Sequence, residues 1–344
     1  MSDRNPFLQL FLARLREFAR EPEVVFWVFG FPILLAVGLG IAFRNKPPDE
    51  IAVGVLDAPG AQDVMRALPS KDGFKVEQVT PAEADQRLRL GRISLIVVPG
   101  ASFEYRFDPT RPDSVLARAR VHDALERAAG RADPVSARDT LVTQPGSRYI
   151  DFLIPGLLGM NIMSGGMWGV GYVIVEMRSR KLLKRLIATP MRRGHFLGAM
   201  MASRTVMVLA QMVFLLFFGW LFFDMVLQGA PWLAALLSLL GAFAFSGLGL
   251  LVASRAQKTE TVSGLMNLVM MPMFVFSGVF FSAERFPAVI QPFMKALPLT
   301  ALNDALRAVI LEGADLSSQI GRIAILLAWG AVSFALALRL FRWT

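Results

Sequence analysis

The residues of this chain that could do chemistry are few and scattered, with one exception. There are two histidines, His122 and His195, far apart, and no cysteine. A zinc site of His and Cys ligands is excluded on those counts, as are thiol chemistry and disulfide bracing. The carboxylates Asp57, Asp108, Asp113 and Asp123 show no metal-ligand spacing, and no nucleophile is spaced with a base. The exception is a dense run of cations, Glu176 to Arg193, which reads E-M-R-S-R-K-L-L-K-R-L-I-A-T-P-M-R-R and holds Arg178, Arg180, Lys181, Lys184, Arg185, Arg192 and Arg193. Its chemistry is electrostatic: it orients a membrane protein or grips a partner. Leu182, Leu183, Leu186 and Ile187 share one helical face, with Lys181, Lys184 and Arg185 beside and opposite. Thr189 precedes the turn and Pro190 ends the helix. From composition alone, orientation and docking both remain open.

The elements around this run decide what it does. The apolar stretches on either side, Phe152 to Val175 and Phe196 to Phe223, are each long enough to cross a bilayer. With 54% hydrophobic residues and a positive mean hydropathy, the chain reads as an integral membrane protein. Its net charge of +9 is not spread like a nucleic-acid patch. Residues 44–148 hold 16 basic and 15 acidic residues, so the excess lies in short segments flanking apolar runs. No nucleic acid is expected as a partner; the lipid bilayer is.

In chain order, residues 1–23 carry an amphipathic helix with the stripe Phe7, Leu8, Phe11, Leu15 and Phe18, suited to the cytoplasmic interface or to packing on a partner. A first span covers 24–43 and, lacking a small-residue cleavage pattern after it, reads as an anchor. Residues 44–148 form an inserted domain. Ile51–Leu56 and Ile93–Val98 read as buried strands, Phe74–Val79 and Phe103–Phe107 as half-buried ones, with helices near 61–68, 81–90 and 114–129. The order βαβαββα predicts a small α/β domain, placed outside the cytoplasm.

Five further spans follow in 149–344, at about 149–175, 196–223, 231–253, 261–281 and 317–340. The second span is rich in glycine, and Gly165 and Gly169 form a G-x-x-x-G for close packing or a dimer face. Asp151 at its outer end reads as interfacial. Asn267 in the fifth span either bonds across helices or lines a path. Residues 282–316, interrupted by Pro287, Pro292 and Pro298, suit short helices dipping into the outer half of the membrane. The fold class is thus a polytopic α-helical membrane protein of six spans, both termini cytoplasmic, with an inserted extracytoplasmic α/β domain.

At this level the chain resembles permease subunits of the ABC-2-type exporters over essentially its whole length. The resemblance is carried by K-L-L-K-R-L-I-A-T-P-M-R-R-G-H-F-L (Lys181 to Leu197), G-L-G-L-L-V-A-S (Gly247 to Ser254) and N-L-V-M-M-P-M-F-V-F-S-G-V-F-F (Asn267 to Phe281). Phe286-Pro287 and L-P-L-T-A-L-N-D-A-L-R (Leu297 to Arg307) continue it. It implies a coupling helix at Glu176 to Pro190 that contacts an ABC ATPase subunit, two short re-entrant helices before the last span, and a second permease copy or a sister permease in a bacterial inner membrane.

No G-x-x-x-x-G-K-[ST] occurs, and the dipeptide Gly-Lys is absent, so ATP and Mg belong to the partner and this chain is not itself an enzyme. Phe214, Phe217, Phe218 and Phe276, with Asn267 and Ser277 as polar points, are candidates to line an export path or to pack the core. The competing reading is a receptor acting through residues 44–148.

Overall fold

The computed structural model describes residues 6–42, 50–70, 73–100, 102–131, 148–182, 193–281 and 286–340. The chain divides into two compact units, one from Met1–Arg44 and Thr143–Thr344, the other Asn45–Val142. The first unit begins with α1, Pro6–Arg20, whose Phe7 and Phe11 rings stack at 6.4 Å. Helix α2, Pro22–Ala42, follows and contains a π-helical stretch, Phe26–Gly30. Pro32 has no N–H, so it cannot serve the Val28 carbonyl one turn earlier. The Asn161 side-chain amide donates to that carbonyl instead, at 3.0 Å. A backbone group that lipid could not satisfy is thereby met by a neighbouring helix.

The second unit matches the expected order: β1 Ile51–Leu56, α3 Ala61–Ala67, β2 Phe74–Val79, α4 Pro81–Arg89, β3 Leu95–Val98, β4 Glu104–Arg106 and α5 Pro112–Ala128. The sheet order is β2-β1-β3-β4, with β1 parallel to β2 and β3, and β4 antiparallel to β3. Interior strands β1 and β3 are covered on both faces, which is why their sequences are continuously apolar. Val53, Val55, Leu95 and Val97 face α3 and α5, packing with Val64, Ala117 and Val121. Leu56 and Ile96 face the other way, with Ala84 of α4.

The rest of the first unit comprises α6 Tyr149–Ser179, α7 Arg193–Phe223, α8 Pro231–Ala253, α9 Thr259–Phe276, α10 Gln291–Ala296, α11 Pro298–Glu312 and α12 Ile320–Leu340. Six helical segments are long and apolar enough to span: α2, α6, the Gly198–Phe223 part of α7, α8, α9, and Leu316–Leu340, which is α12 with the 3-10 turn before it. Helix α6 is the hub, packing against α2, α7, α8 and α11.

Two expectations need correction. Helix α6 runs through Ser179, so Glu176 and Arg178 form its last turn. The fifth span stops at Phe276 rather than Phe281, because Gly278 adopts φ +67° and the Ser277 carbonyl is taken by the Asn303 amide at 3.0 Å. Asp151, in the first turn of α6, is fully buried: it accepts from the Arg148 guanidinium at 3.0 Å and from its backbone N–H, closing the start of α6. Outside the spans, that hydrogen-bonded carboxylate holds the Arg148 guanidinium above its ordinary pKa.

Candidate functional site

The functional groups sit at three levels along α6. At the cationic end, Arg178 reaches across to α8 and donates from Nη1 to the carbonyls of Ala253 at 3.1 Å and Ala256 at 2.6 Å. Carbonyls at a helix C-terminus lack intrahelical donors and carry the negative end of the helix dipole, so a guanidinium there is favoured. Glu176 pairs with Arg180 at 2.8 Å one turn on. Arg14 of α1 donates to the Met177 sulfur at 3.4 Å, so α1 too meets this end of α6. At Lys181 the backbone takes φ +56°, a left-handed turn that breaks the helix axis just before Leu182. Of the residues assigned to ATPase coupling, Glu176, Arg178, Lys181 and Leu182 are placed here. Leu183, Lys184, Arg185, Leu186, Thr189 and Pro190 lie outside the described residues.

Midway along α6 the glycines separate by partner. Gly165 lies against Arg204 of α7, where a Cβ would overlap the guanidinium. Gly169 is exposed, and a Cβ there would stand 3.8 Å from Arg204 Nη1. The Gly165/Gly169 pair therefore makes room for an arginine of the same chain. One turn away, Gly166 meets α8 backbone to backbone: a Cβ on it would come within 2.6 Å of the Phe245 Cβ, and one on Gly249 within 2.6 Å of the Gly166 carbonyl oxygen.

Near Tyr149, α11 is buried almost along its whole length. Arg307 threads between elements, donating from Nε to the Phe152 carbonyl at 3.1 Å and from Nη2 to the Gly278 carbonyl, with Asp304 3.8 Å away and its guanidinium 3.6 Å above the Phe152 ring. Asn303 holds the Ser277 carbonyl as described. Ser277 itself is buried and its hydroxyl has no hydrogen-bond partner.

The aromatic candidates divide. Phe214 packs edge-on against Phe29 at 4.9 Å, and buried Phe218 packs on Phe222 and Phe223. Phe218 belongs to the core, and Phe214 is half-buried. Phe217 is 54% exposed beside Trp220, and Phe276 is half-buried against Phe286. Asn267 stands exposed on the outer face of α9, in a shallow groove with Gly264, Leu268, Met271, Pro272, Val275 and Phe276.

A model of the ABC-2 family of transporter proteins matches residues 22–339. The chain belongs to that family. That range runs from the start of the first span to one residue before the end of the last. This ABC-2 chain is also 21% identical to the linearmycin resistance permease protein LnrN of Bacillus subtilis, over 94% of its own length and 96% of that protein's. It is 28% identical to ABC transporter G family member 20 of Dictyostelium discoideum over 55% of its own length, spanning about a quarter (26%) of that longer protein. It is accordingly a multi-pass membrane component of an ABC transporter, and the family implies an ABC ATPase partner.

Sequence reading passes over Arg204, and places Arg307 only within a family-like stretch. The available signal for Arg204 was a lone cation inside an otherwise apolar run. An arginine at a helix centre costs about 3 kcal/mol even on permissive insertion scales, so it marks a constraint wherever it occurs.

Proposed function

We propose that this ABC-2 chain is the permease subunit of an ATP-driven exporter moving an amphipathic or hydrophobic compound, drug-like or lipid, out of the cytoplasm or inner leaflet. In this reading residues 176–193 and both termini face the cytoplasm, residues 44–148 lie outside, and ATP with Mg is held by a separate ATPase subunit. A second copy or a sister permease completes the path.

One observation carries the proposal: Arg178 ties the end of the second span to the end of the fourth, immediately before the basic segment. A push delivered to that segment would move both spans together, a shift of packed helices as units. Helix α1 would travel with them through its contact to Met177. The resistance permease among the relatives supports a small-molecule cargo. The exposed α9 face, with a polar Asn267 among Leu268, Met271 and Val275, supports a second permease there, because an amide facing lipid alone is unfavourable.

The test is co-purification with an ABC ATPase and transport in proteoliposomes. Making the docking face acidic, Leu182→Glu with Leu186→Glu, is expected to abolish the complex and its ATP-dependent transport. A complex that survives this change would remove the docking assignment. Stimulation of the ATPase by hydrophobic drugs but not by lipids would define the cargo class.

A further inference from the structure

Arg204 differs from three other arginines of the helical unit that reach into its packing. Arg148 has Asp151, and Arg307 has two carbonyls, Asp304 and an aromatic face. Arg178 has the end of α8. Arg204 lies inside the apolar window Gly198–Phe223, and its Nη2 donates to a single carbonyl, that of Ile162, at 3.2 Å, near the middle of the 31-residue α6. Its Nε is buried with no hydrogen-bond partner, and no carboxylate pairs with it among the described residues.

Nor do the six spanning helices hold an acid in their interior turns, and Asp304 of α11 lies beside Arg307. In the six spanning helices the carboxylates are Glu23, Asp151, Glu176 and Glu260, each within the first or last turn of its helix. The cation is also reachable. Gly165 and Gly169 present no side chain beside Nη1, and Gly169 is exposed. A guanidinium with one of its five N–H groups engaged, in a medium without water, has donors left for a planar oxyanion.

We propose that Arg204, whose Nη1 is left open beside Gly169, is an anion-binding site within the membrane for the carboxylate or phosphate group of an amphiphile. The anionic group supplies the counter-charge that the protein lacks, and the tail lies along the apolar surfaces of α6 and α7. The site depends on the membrane placement of these two helices and not on the ATPase, so failure of the proposed coupling would leave it untouched.

The experiment uses the purified full chain in neutral detergent, without ATPase or nucleotide. Binding of laurate is compared with methyl laurate, and of dioleoylphosphatidylglycerol with dioleoylphosphatidylcholine, by native mass spectrometry and thermal shift. At least one anionic probe is expected to bind roughly tenfold more tightly than its neutral counterpart. That preference is lost in Arg204→Gln and reduced in Gly169→Val, which keeps the charge but covers Nη1, and Arg204→Lys retains part of it. A preference for laurate alone, or for both anions, supports a site open to single-chain cargo. A preference for the phospholipid alone supports a resident anionic lipid. Equal binding of charged and neutral probes by the wild type overturns the proposal, however the variants behave. So does a preference that persists in folded Arg204→Gln.

Discussion

Two spanning helices of this chain meet opposite fates. In α6, 67% of the most apolar 18-residue window is buried inside the unit; in α9 the share is 22%. Both are apolar enough for the membrane, so hydrophobicity does not separate them. Shape does. Where α6 faces its neighbours it carries Gly156, Gly159, Gly165 and Gly166, each filled by a group from another element: the Val279 carbonyl, Asn303, Arg204 and the α8 backbone. The outer face of α9 carries Leu265, Leu268, Met271 and Val275, all well exposed, around a single amide. Lipid tails are as apolar as leucine, so burial of apolar surface cannot drive helices together in a bilayer. Close backbone approach and polar contacts must do so, and α6 has both.

The contrast is sharpest at matched glycines. Gly249→Val would push a side chain into the Gly166 carbonyl and is expected to destabilise the helical unit by ~3 kcal/mol or more, read as thermal unfolding in detergent. Gly264→Val on the open face of α9, where nothing lies within 4 Å, is expected to stay within about 0.5 kcal/mol of wild type. Similar losses at both sites would erase the distinction.

Next in size, Arg307→Met should cost ~2 kcal/mol, because the Phe152 and Gly278 carbonyls lose a charged donor while buried. A smaller effect on stability, but a clear one on transport, is expected for Arg178→Met. The ATPase should still co-purify while export falls about tenfold, equivalent to ~1.4 kcal/mol of coupling; unchanged export would show that the strut between α6 and α8 transmits nothing.

The smallest perturbation is Met271→Cys. The chain has no cysteine of its own, so this is a single reporter thiol on the α9 face. Oxidative cross-linking between copies in membranes, with the melting temperature unchanged, is the expected outcome. A thiol that labels freely from lipid and never cross-links would place the second permease elsewhere.

Much of this architecture is legible in the residues. Strand order in the inserted unit follows from which strands are apolar throughout, β1 and β3, and which are mixed, β2 and β4. The short helices α10 and α11 follow from prolines spaced too closely for a span. Other features are not legible. V-F-S-G-V-F-F looks like continuous span, yet the helix ends at Phe276 because Asn303, 26 residues later, takes the Ser277 carbonyl. That Arg148 folds over Asp151 is not readable from the residues. The Gly165/Gly169 motif reads as a dimer face, and no local pattern says that an arginine from the next helix lies against it.

What the amino-acid order determined alone is the partition of the chain: which stretches leave water, where the cations gather, and which family it joins. Those properties add up residue by residue, because the free energy of transfer into lipid is close to a sum over side chains. Only the tertiary structure decided the pairings: Asn161 with the carbonyl freed by Pro32, Arg178 with the end of α8, and Arg204 with Ile162 and nothing acidic. Each depends on two distant segments arriving at one height and one rotation, and that is a property of packed surfaces rather than of any stretch of sequence.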